Sequence, residues 1–112
     1  MILRSWHGAV PLEFGAAFEQ YLKDTGVAEA EALPGNLGVF WKRILQGDFE
    51  HFYLLTYWDG WESVRRFAGD TPHIAVTYPE DARYGLISDP IVLHQEVSGS
   101  RPWYGEAGAA NS

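Results

Sequence analysis

Histidine side chains are the groups in this sequence best suited to acid–base chemistry. The chain contains four His and no Cys, so thiolate chemistry and disulfide bonds are excluded. His7 is a candidate proton acceptor because the unperturbed pKa of imidazole lies near neutrality, and the alternative is a hydrogen-bonded structural His. His73 follows Thr71-Pro72 and is expected either to line the mouth of a pocket or to be exposed. His51 is expected at the surface or at an interface.

The acidic residues favour structural roles. His94 and Glu96 alternate onto one face of a predicted strand, but a metal site needs a third ligand that the sequence does not supply, so we predict no metal. Asp59 and Glu62 have the spacing of a helix capping box. The acids of Pro79-Glu80-Asp81 are interpreted as the first turn of a helix, where negative charge suits the helix dipole.

Aromatic residues make up 15% of the chain and include five Trp. Trp61 can stack on an aromatic substrate or simply pack in the core. Tyr57 can hydrogen-bond a substrate oxygen or be an ordinary sheet residue with its hydroxyl at the edge. Gly-rich phosphate loops, nucleophile elbows and zinc-protease motifs are absent, which argues against nucleotide enzymes, serine hydrolases and zinc proteases.

Hydrophobic periodicity predicts alternating strands and helices. An apolar stripe predicts a first helix over 12–24, which begins after Pro11 and stops at Gly26. Residues 27–34 are expected to form an acidic, Ala-rich connector. The other predicted elements are strands at 2–9, 37–46, 49–58 and 89–97, a hairpin at 46–48, and a second helix at about 60–68 that Gly69 ends.

The third predicted strand, 49–58, is apolar or aromatic on both faces. An antiparallel sheet with one wet face should alternate apolar with polar residues, so both faces are expected to be covered. The element order predicts an α+β domain of the ferredoxin-like βαββαβ type, with a four-stranded antiparallel sheet and both helices on one face. A second copy of the sheet is the simplest cover for the other face, so we predict a homodimer.

Length and charge limit the remaining possibilities. A chain of 112 residues fits one domain, expected over 1–97, with a flexible C-terminal tail over 98–112. The formal net charge of −7 argues against nucleic acid and anionic membrane surfaces as partners. No apolar stretch approaches the roughly 20 residues of a membrane span, and no signal region is recognisable. We therefore expect a soluble, cytoplasmic protein.

Five short motifs carry a family resemblance. They are Arg4-Ser5-Trp6-His7-Gly8, Leu33-Pro34-Gly35-Asn36, Tyr57-Trp58-Asp59-Gly60-Trp61-Glu62-Ser63, Phe67-Ala68-Gly69 and Tyr78-Pro79-Glu80-Asp81. Through them, residues 1–97 resemble the antibiotic biosynthesis monooxygenase family of the dimeric α/β-barrel superfamily. The resemblance implies a dimeric α/β barrel, with a pocket between each sheet and its own helices.

The resemblance also implies an activity that needs no cofactor. Family members with known activity oxidise electron-rich aromatic polyketides, typically anthrone-type phenols, with molecular oxygen and without metal, flavin or haem. Deprotonation gives an electron-rich anion that passes one electron to oxygen. Radical recombination then forms a peroxide, and loss of water gives the quinone. The protein must hold the aromatic substrate, accept a proton and stabilise the anion.

Individual roles follow from the same resemblance. The family's pocket Trp matches Trp61, whereas Tyr57 stands where the family has Asn and Phe67 where it has Tyr. In the related haem-degrading branch, the iron-ligand position falls near Thr77 or Tyr78, with His73 one turn earlier. The resemblance therefore assigns catalytic roles to His7, Tyr57 and Trp61, and substrate contacts to Phe67, His73 and Tyr78.

Three functional hypotheses follow. The first is a cofactor-independent oxygenase for a small aromatic or polyketide-type substrate, with His7 as base, Tyr57 as hydrogen-bond donor and Trp61 as stacking wall. The second is a non-catalytic protein that binds a hydrophobic small molecule or haem in the same pocket. The third is a non-oxidative isomerase or cyclase on the same scaffold. The fold by itself does not choose between them.

Overall fold

The computed structural model describes residues 1–99, and the tail predicted over 98–112 lies outside the described residues except for Ser98 and Gly99. Within them the domain has five strands, a long helical segment after the first strand and a short helix after the third. The strands are β1 (Ile2–Pro11), β2 (Asn36–Gln46), β3 (Phe49–Trp58), β4 (Ile87–Ser88) and β5 (Leu93–Glu96). The helices are α1 (Gly15–Leu22), α2 (Ala28–Ala32) and α3 (Trp61–Ala68).

The strands form one antiparallel sheet. Its order is β2-β3-β1-β4, and β5 pairs with the same edge of β1 as β4 does. Strands β2 and β3 make the predicted hairpin through Gly47, whose φ of 63° lies in the region that favours glycine. The predicted α+β ferredoxin-like arrangement is confirmed.

The last strand differs from the prediction. A continuous strand over 89–97 is wrong, because residues 89–92 leave the sheet between β4 and β5. Pro90 has no N–H to donate to the ladder. Its carbonyl accepts instead from the N–H of Ala75 at 2.9 Å, and the N–H of Val92 bonds the carbonyl of His73 at 2.9 Å. The fourth position of the sheet is therefore shared by two short strands.

The first helical segment also runs further than predicted. A stop at Gly26 and a connector after it are wrong, because the helix continues as a π-helical stretch (Lys23–Val27) into α2. Gly26 is buried, and a Cβ placed there would lie 3.1 Å from Cδ2 of Leu54. This glycine therefore lets the helix approach the sheet closely, and the Ala and Glu residues that follow favour helix.

Helix α3 is confirmed, but its predicted capping box is not. Gly60 occupies the N-cap position, and no side chain caps the helix. The carboxylate of Asp59 accepts instead from the hydroxyl of Ser63 at 2.5 Å, and Glu62 lies 3.8 Å from Arg66. No helix within residues 1–99 is long and apolar enough to cross a bilayer.

The two faces of the sheet differ in burial. The helix-side face packs against α1, α2 and α3 and forms the core. The main buried members of that core are Trp6, Val10, Phe18, Leu22, Phe52 and Leu54, with a second group of Ile2, Ala30, Trp58 and Val64. The other face, called here the open face, carries no helix. It keeps large apolar side chains exposed, among them Phe40, Ile44, Ile87 and Leu93.

Truncating Phe52 tests the core. Its side chain is 0% exposed, and its ring meets that of Phe18 edge-on at 4.9 Å. Phe52→Ala is expected to lower the free energy of unfolding by about 3–5 kcal/mol, because it removes buried surface and leaves a cavity. Urea denaturation measures the loss. Leu45→Ala, at a side chain 62% exposed, is the control and should stay within about 0.5 kcal/mol. A similar loss for both variants would contradict this core.

Candidate functional site

A narrow cavity lies on the helix side of the sheet. Its volume is about 40 Å³, and its aromatic wall consists of Trp6, Phe18, Tyr21, Phe67 and Tyr78. One water molecule needs on the order of 10–15 Å³ of cavity volume. The cavity therefore admits a small group, and a larger ring system must displace side chains. Its polar lining includes Arg4 and Asp81.

Arg4 places a buried positive charge on this cavity. The residue is 3% exposed, and its guanidinium carbon lies 5.3 Å from the ring centroid of Phe67. Its Nη2 donates to the carbonyls of Pro72 and Ile74 at 3.4 Å each, whereas its Nε is buried without a partner among residues 1–99. Burial lowers the pKa of Arg4 to about 10, so the group still carries its charge at neutral pH.

Two tyrosines and two carboxylates form a second polar cluster beside the cavity. The hydroxyl of Tyr21 donates to Oδ1 of Asp81 at 3.0 Å, and Oδ2 accepts from the backbone N–H of Tyr78 at 2.9 Å. The hydroxyl of Tyr78 donates to Glu29 at 3.0 Å. Burial and the neighbouring carboxylates raise the pKa of both phenols, so both stay protonated donors at neutral pH.

His94 lies next to Arg4 on the helix side. The two residues face each other in the register of β5 and β1. The Nε2 of His94 is buried without a partner among the described residues, and the imidazole ring lies 5.1 Å from that of Trp61. Burial, followed by the charges of Arg4 and His73, lowers the pKa of His94. It is therefore a neutral ring at pH 7.

His7 lies on the open face, at the centre of a hydrogen-bonded chain. Its Nδ1 lies 2.9 Å from Oδ2 of Asp89, and its Nε2 lies 2.9 Å from Nδ1 of His51. Because a carboxylate only accepts, Nδ1 of His7 carries a proton and donates it to Asp89. Tyr53 packs against the imidazole with ring centroids 4.7 Å apart.

The hydrogen-bonded side chains around His7 border a shallow depression of about 510 Å³ on the open face. Ser5, His7, Tyr53, Asp89 and Leu93 are among its lining residues. An imidazole fixed by a carboxylate is suited to proton transfer, so the arrangement has the elements of a general base. The sheet itself separates this depression from the helix-side cavity.

The predicted site residues are divided between the two faces. His7 and Tyr57 lie on the open face, where Tyr57 meets Phe40 edge-on at 6.1 Å. Trp61 packs on the helix side against the core around Trp58. The sheet therefore does not bring the three predicted catalytic residues into one pocket, and their roles stay predictions.

The predicted substrate contacts also divide. Phe67 and Tyr78 line the helix-side cavity, as the resemblance implied. His73 is exposed, and its backbone carbonyl accepts a hydrogen bond from the N–H of Val92 in the segment between β4 and β5. It is not among the cavity-lining residues.

Sequence analysis did not identify Arg4, Tyr21 or Asp81 as site residues. Arg4 alternates with Ile2 and Trp6 along β1, and a charge at an inward-facing position was the available signal. Tyr21 lies within the apolar helix predicted over 12–24 and Asp81 within a predicted helix turn. Neither pattern indicates that the two side chains meet across 60 positions of sequence.

Comparisons with known proteins show the fold. No protein-family model matches the chain, and no curated protein sequence matches it. A candidate antibiotic biosynthesis monooxygenase from Deinococcus radiodurans has 16% identity and a TM-score of 0.62, over 91% of this chain and 97% of that chain. The haem-degrader MhuD from Mycobacterium tuberculosis, with two haems in its active site, has 20% identity and a TM-score of 0.60, over 91% of this chain and 100% of that chain.

A third solved structure has a similar fold. A candidate antibiotic biosynthesis monooxygenase from Bacillus cereus has 13% identity and a TM-score of 0.59, over 90% of this chain and 94% of that chain. The fold implied by the sequence motifs is therefore the one that these proteins share.

The hydrogen bond between Tyr21 and Asp81 predicts a pH dependence. Burial and Asp81 raise the pKa of Tyr21 from the usual 10 to about 12. The stability that this gives the folded protein is complete below pH 10 and is lost as the pH rises towards about 12. Urea midpoints of wild type and Tyr21→Phe should therefore differ at pH 8 and converge above pH 10. An unchanged difference at pH 11 would contradict this arrangement.

Proposed function

We propose that the chain is a cofactor-independent, monooxygenase-like protein of the antibiotic biosynthesis monooxygenase type, which oxidises a small aromatic or polyketide-type substrate with molecular oxygen in the helix-side cavity. The observation that carries the proposal is the combination of an aromatic wall with one buried cation and one carboxylate. Aromatic side chains hold a planar substrate, and the charged groups serve the proton and the anion.

The chemistry needs a group that favours the deprotonated substrate. Arg4 supplies a positive charge in a buried setting, where it stabilises negative charge on the bound substrate more than it would in water. Asp81 is the cavity carboxylate that can accept the proton, with Tyr21 as a neighbouring donor. The substrate anion then passes an electron to oxygen, the radicals combine to a peroxide, and loss of water gives the quinone.

His7 is the alternative proton acceptor, and it defines a different site. A substrate that His7 deprotonates has to bind in the depression on the open face. Variants of His7 and Asp81 therefore distinguish the two faces of the sheet as the place of reaction.

A second candidate function is non-catalytic binding of a hydrophobic small molecule or haem. Its support is the likeness in fold to the Mycobacterium tuberculosis protein, which binds two haems in its active site. A cavity of about 40 Å³ is far too small for a porphyrin without movement of its walls, and a smaller aromatic ligand needs less of that movement.

Oxygen-dependent turnover tests the first candidate. Purified protein is incubated with anthrones and hydroxynaphthalenes with and without oxygen, and quinone formation is followed by absorbance. Asp81→Asn is expected to lower kcat by about 100-fold, since it removes the proton acceptor. Asp24→Asn, at an exposed carboxylate of the π-helical stretch, is the matched control and should keep wild-type turnover.

Each other outcome has a definite meaning. Loss of turnover in His7→Ala with full turnover in Asp81→Asn would move the reaction to the open face. Product formation without oxygen would indicate an isomerase or cyclase. Absence of product, with a Soret band after addition of haem, would favour the binding protein.

We also propose that the open face pairs with a second copy of the chain. Exposed apolar side chains on it include Ile44 at 41%, Ile87 at 62% and Leu93 at 68%. A cluster of this kind on one sheet face is typical of an interface. Since the same face exists on every copy, two-fold pairing is the simplest way to bury it.

Light scattering at micromolar concentration tests this pairing. The wild type is expected at twice the chain mass of 12.6 kDa. Leu93→Asp is expected to give the monomer mass, because it places a charge on the apolar open face. Leu12→Asp, at a side chain 50% exposed in the turn after β1, should remain a dimer. A monomeric wild type would refute the pairing.

A further inference from the structure

Arg4 differs from Arg43, an arginine at a more exposed position of β2, in having no carboxylate partner. Arg43 lies 2.6 Å from Glu19 and 2.7 Å from Glu50, so two acids balance its charge. No acid within residues 1–99 forms an ion pair with Arg4, although only 3% of this residue is exposed to solvent. Removing an unpaired charge from water is costly, so a partner for it is expected at this position.

The guanidinium group keeps unused hydrogen-bonding capacity for that partner. Its Nε is buried and unpaired, and its Nη2 has two carbonyl contacts that are long, at 3.4 Å. The Nε and one terminal nitrogen of a guanidinium present two parallel donors, which match the two oxygens of a carboxylate. Arg4 also lines the helix-side cavity, so a small molecule that enters the cavity meets this residue.

We infer that Arg4 is the anchor for a carboxylate group on the aromatic ligand of the helix-side cavity, and that the protein selects aromatic acids over their neutral analogues. The inference shares its cavity with the proposed function, but it concerns binding and does not need oxygen chemistry. It deepens that function by naming a permanent negative charge on the substrate.

The surroundings of Arg4 support an aromatic acid. The ring of Phe67 lies 5.3 Å from the guanidinium carbon, so a ring attached to the carboxylate would lie beside an aromatic wall. His94 is the cross-strand neighbour of Arg4, and its buried Nε2 also has no partner among the described residues. A neutral imidazole can donate a further hydrogen bond to the same anionic group.

The other polar group of the cavity sets the direction of the ligand. Asp81 accepts hydrogen bonds from Tyr21 and from the backbone of Tyr78, and its negative charge disfavours a second carboxylate there. The acid of the ligand is therefore directed to Arg4. A hydroxyl elsewhere on the ligand can face Asp81, where the proposed oxidation needs a proton acceptor.

Paired titrations test the inference without turnover. Benzoate and its neutral analogue benzamide are each titrated into the wild-type protein, and the fluorescence of Trp6 and the other tryptophans reports binding. Benzoate is expected to bind at least about tenfold more tightly, because a charged hydrogen-bonded pair is worth that much. Arg4→Met should abolish the preference, and Arg65→Met, at an exposed arginine of α3, should keep it.

Arg4→Lys keeps the test decisive if the Met variant does not fold. Lysine retains the charge but not the two parallel donors, so a reduced preference for benzoate is expected. Equal affinity of the wild type for benzoate and benzamide would overturn the inference, and so would an unchanged preference in a folded Arg4→Met. A preference for benzoate without oxidation of any anthrone would refute the oxygenase alone and leave the carboxylate site standing.

Discussion

Strand β1 is hydrogen-bonded on both edges, to β3 on one side and to β4 and β5 on the other. Its side chains therefore contact other parts of the protein only on the two faces of the sheet, and successive residues of the strand point to opposite faces. Arg4 and Trp6 reach the helix side, whereas His7, the next residue along, reaches the open side. The helix-side cavity and the open-face depression both depend on this division.

The two faces use polar residues in different ways. On the helix side, Arg4 is buried without an acid, and Asp81 accepts from Tyr21 across the cavity. Such an arrangement costs stability in the empty protein and is useful where a ligand supplies the missing charge. On the open side, His7 already has hydrogen-bond partners on both ring nitrogens. The helix side is therefore the face with unsatisfied binding capacity, and the open side combines a completed polar chain with exposed apolar surface.

Local pattern was sufficient for most of the fold. The apolar residues of β3 and the glycine of its hairpin predict the central strand and its turn, because both signals act over a few residues. The errors arose where distant contacts override local preference. Gly26 permits close packing of a continuous helix on Leu54, and Pro90 bonds a loop segment instead of extending the sheet. Neither partner is visible from the sequence next to these residues.

The sequence by itself determined the order of strands and helices and the apolar character of both sheet faces, because hydrophobic periodicity is a local property of the chain. The family resemblance of its motifs implied Phe67 as a cavity residue. Only the tertiary structure decided which polar residues share a site. It separated His7 from Trp61 by the thickness of the sheet, and it joined Tyr21 to Asp81 and left Arg4 without an acid. Those pairings depend on the register of strands and on the path of a long connection, and neither is encoded in the spacing of the residues concerned.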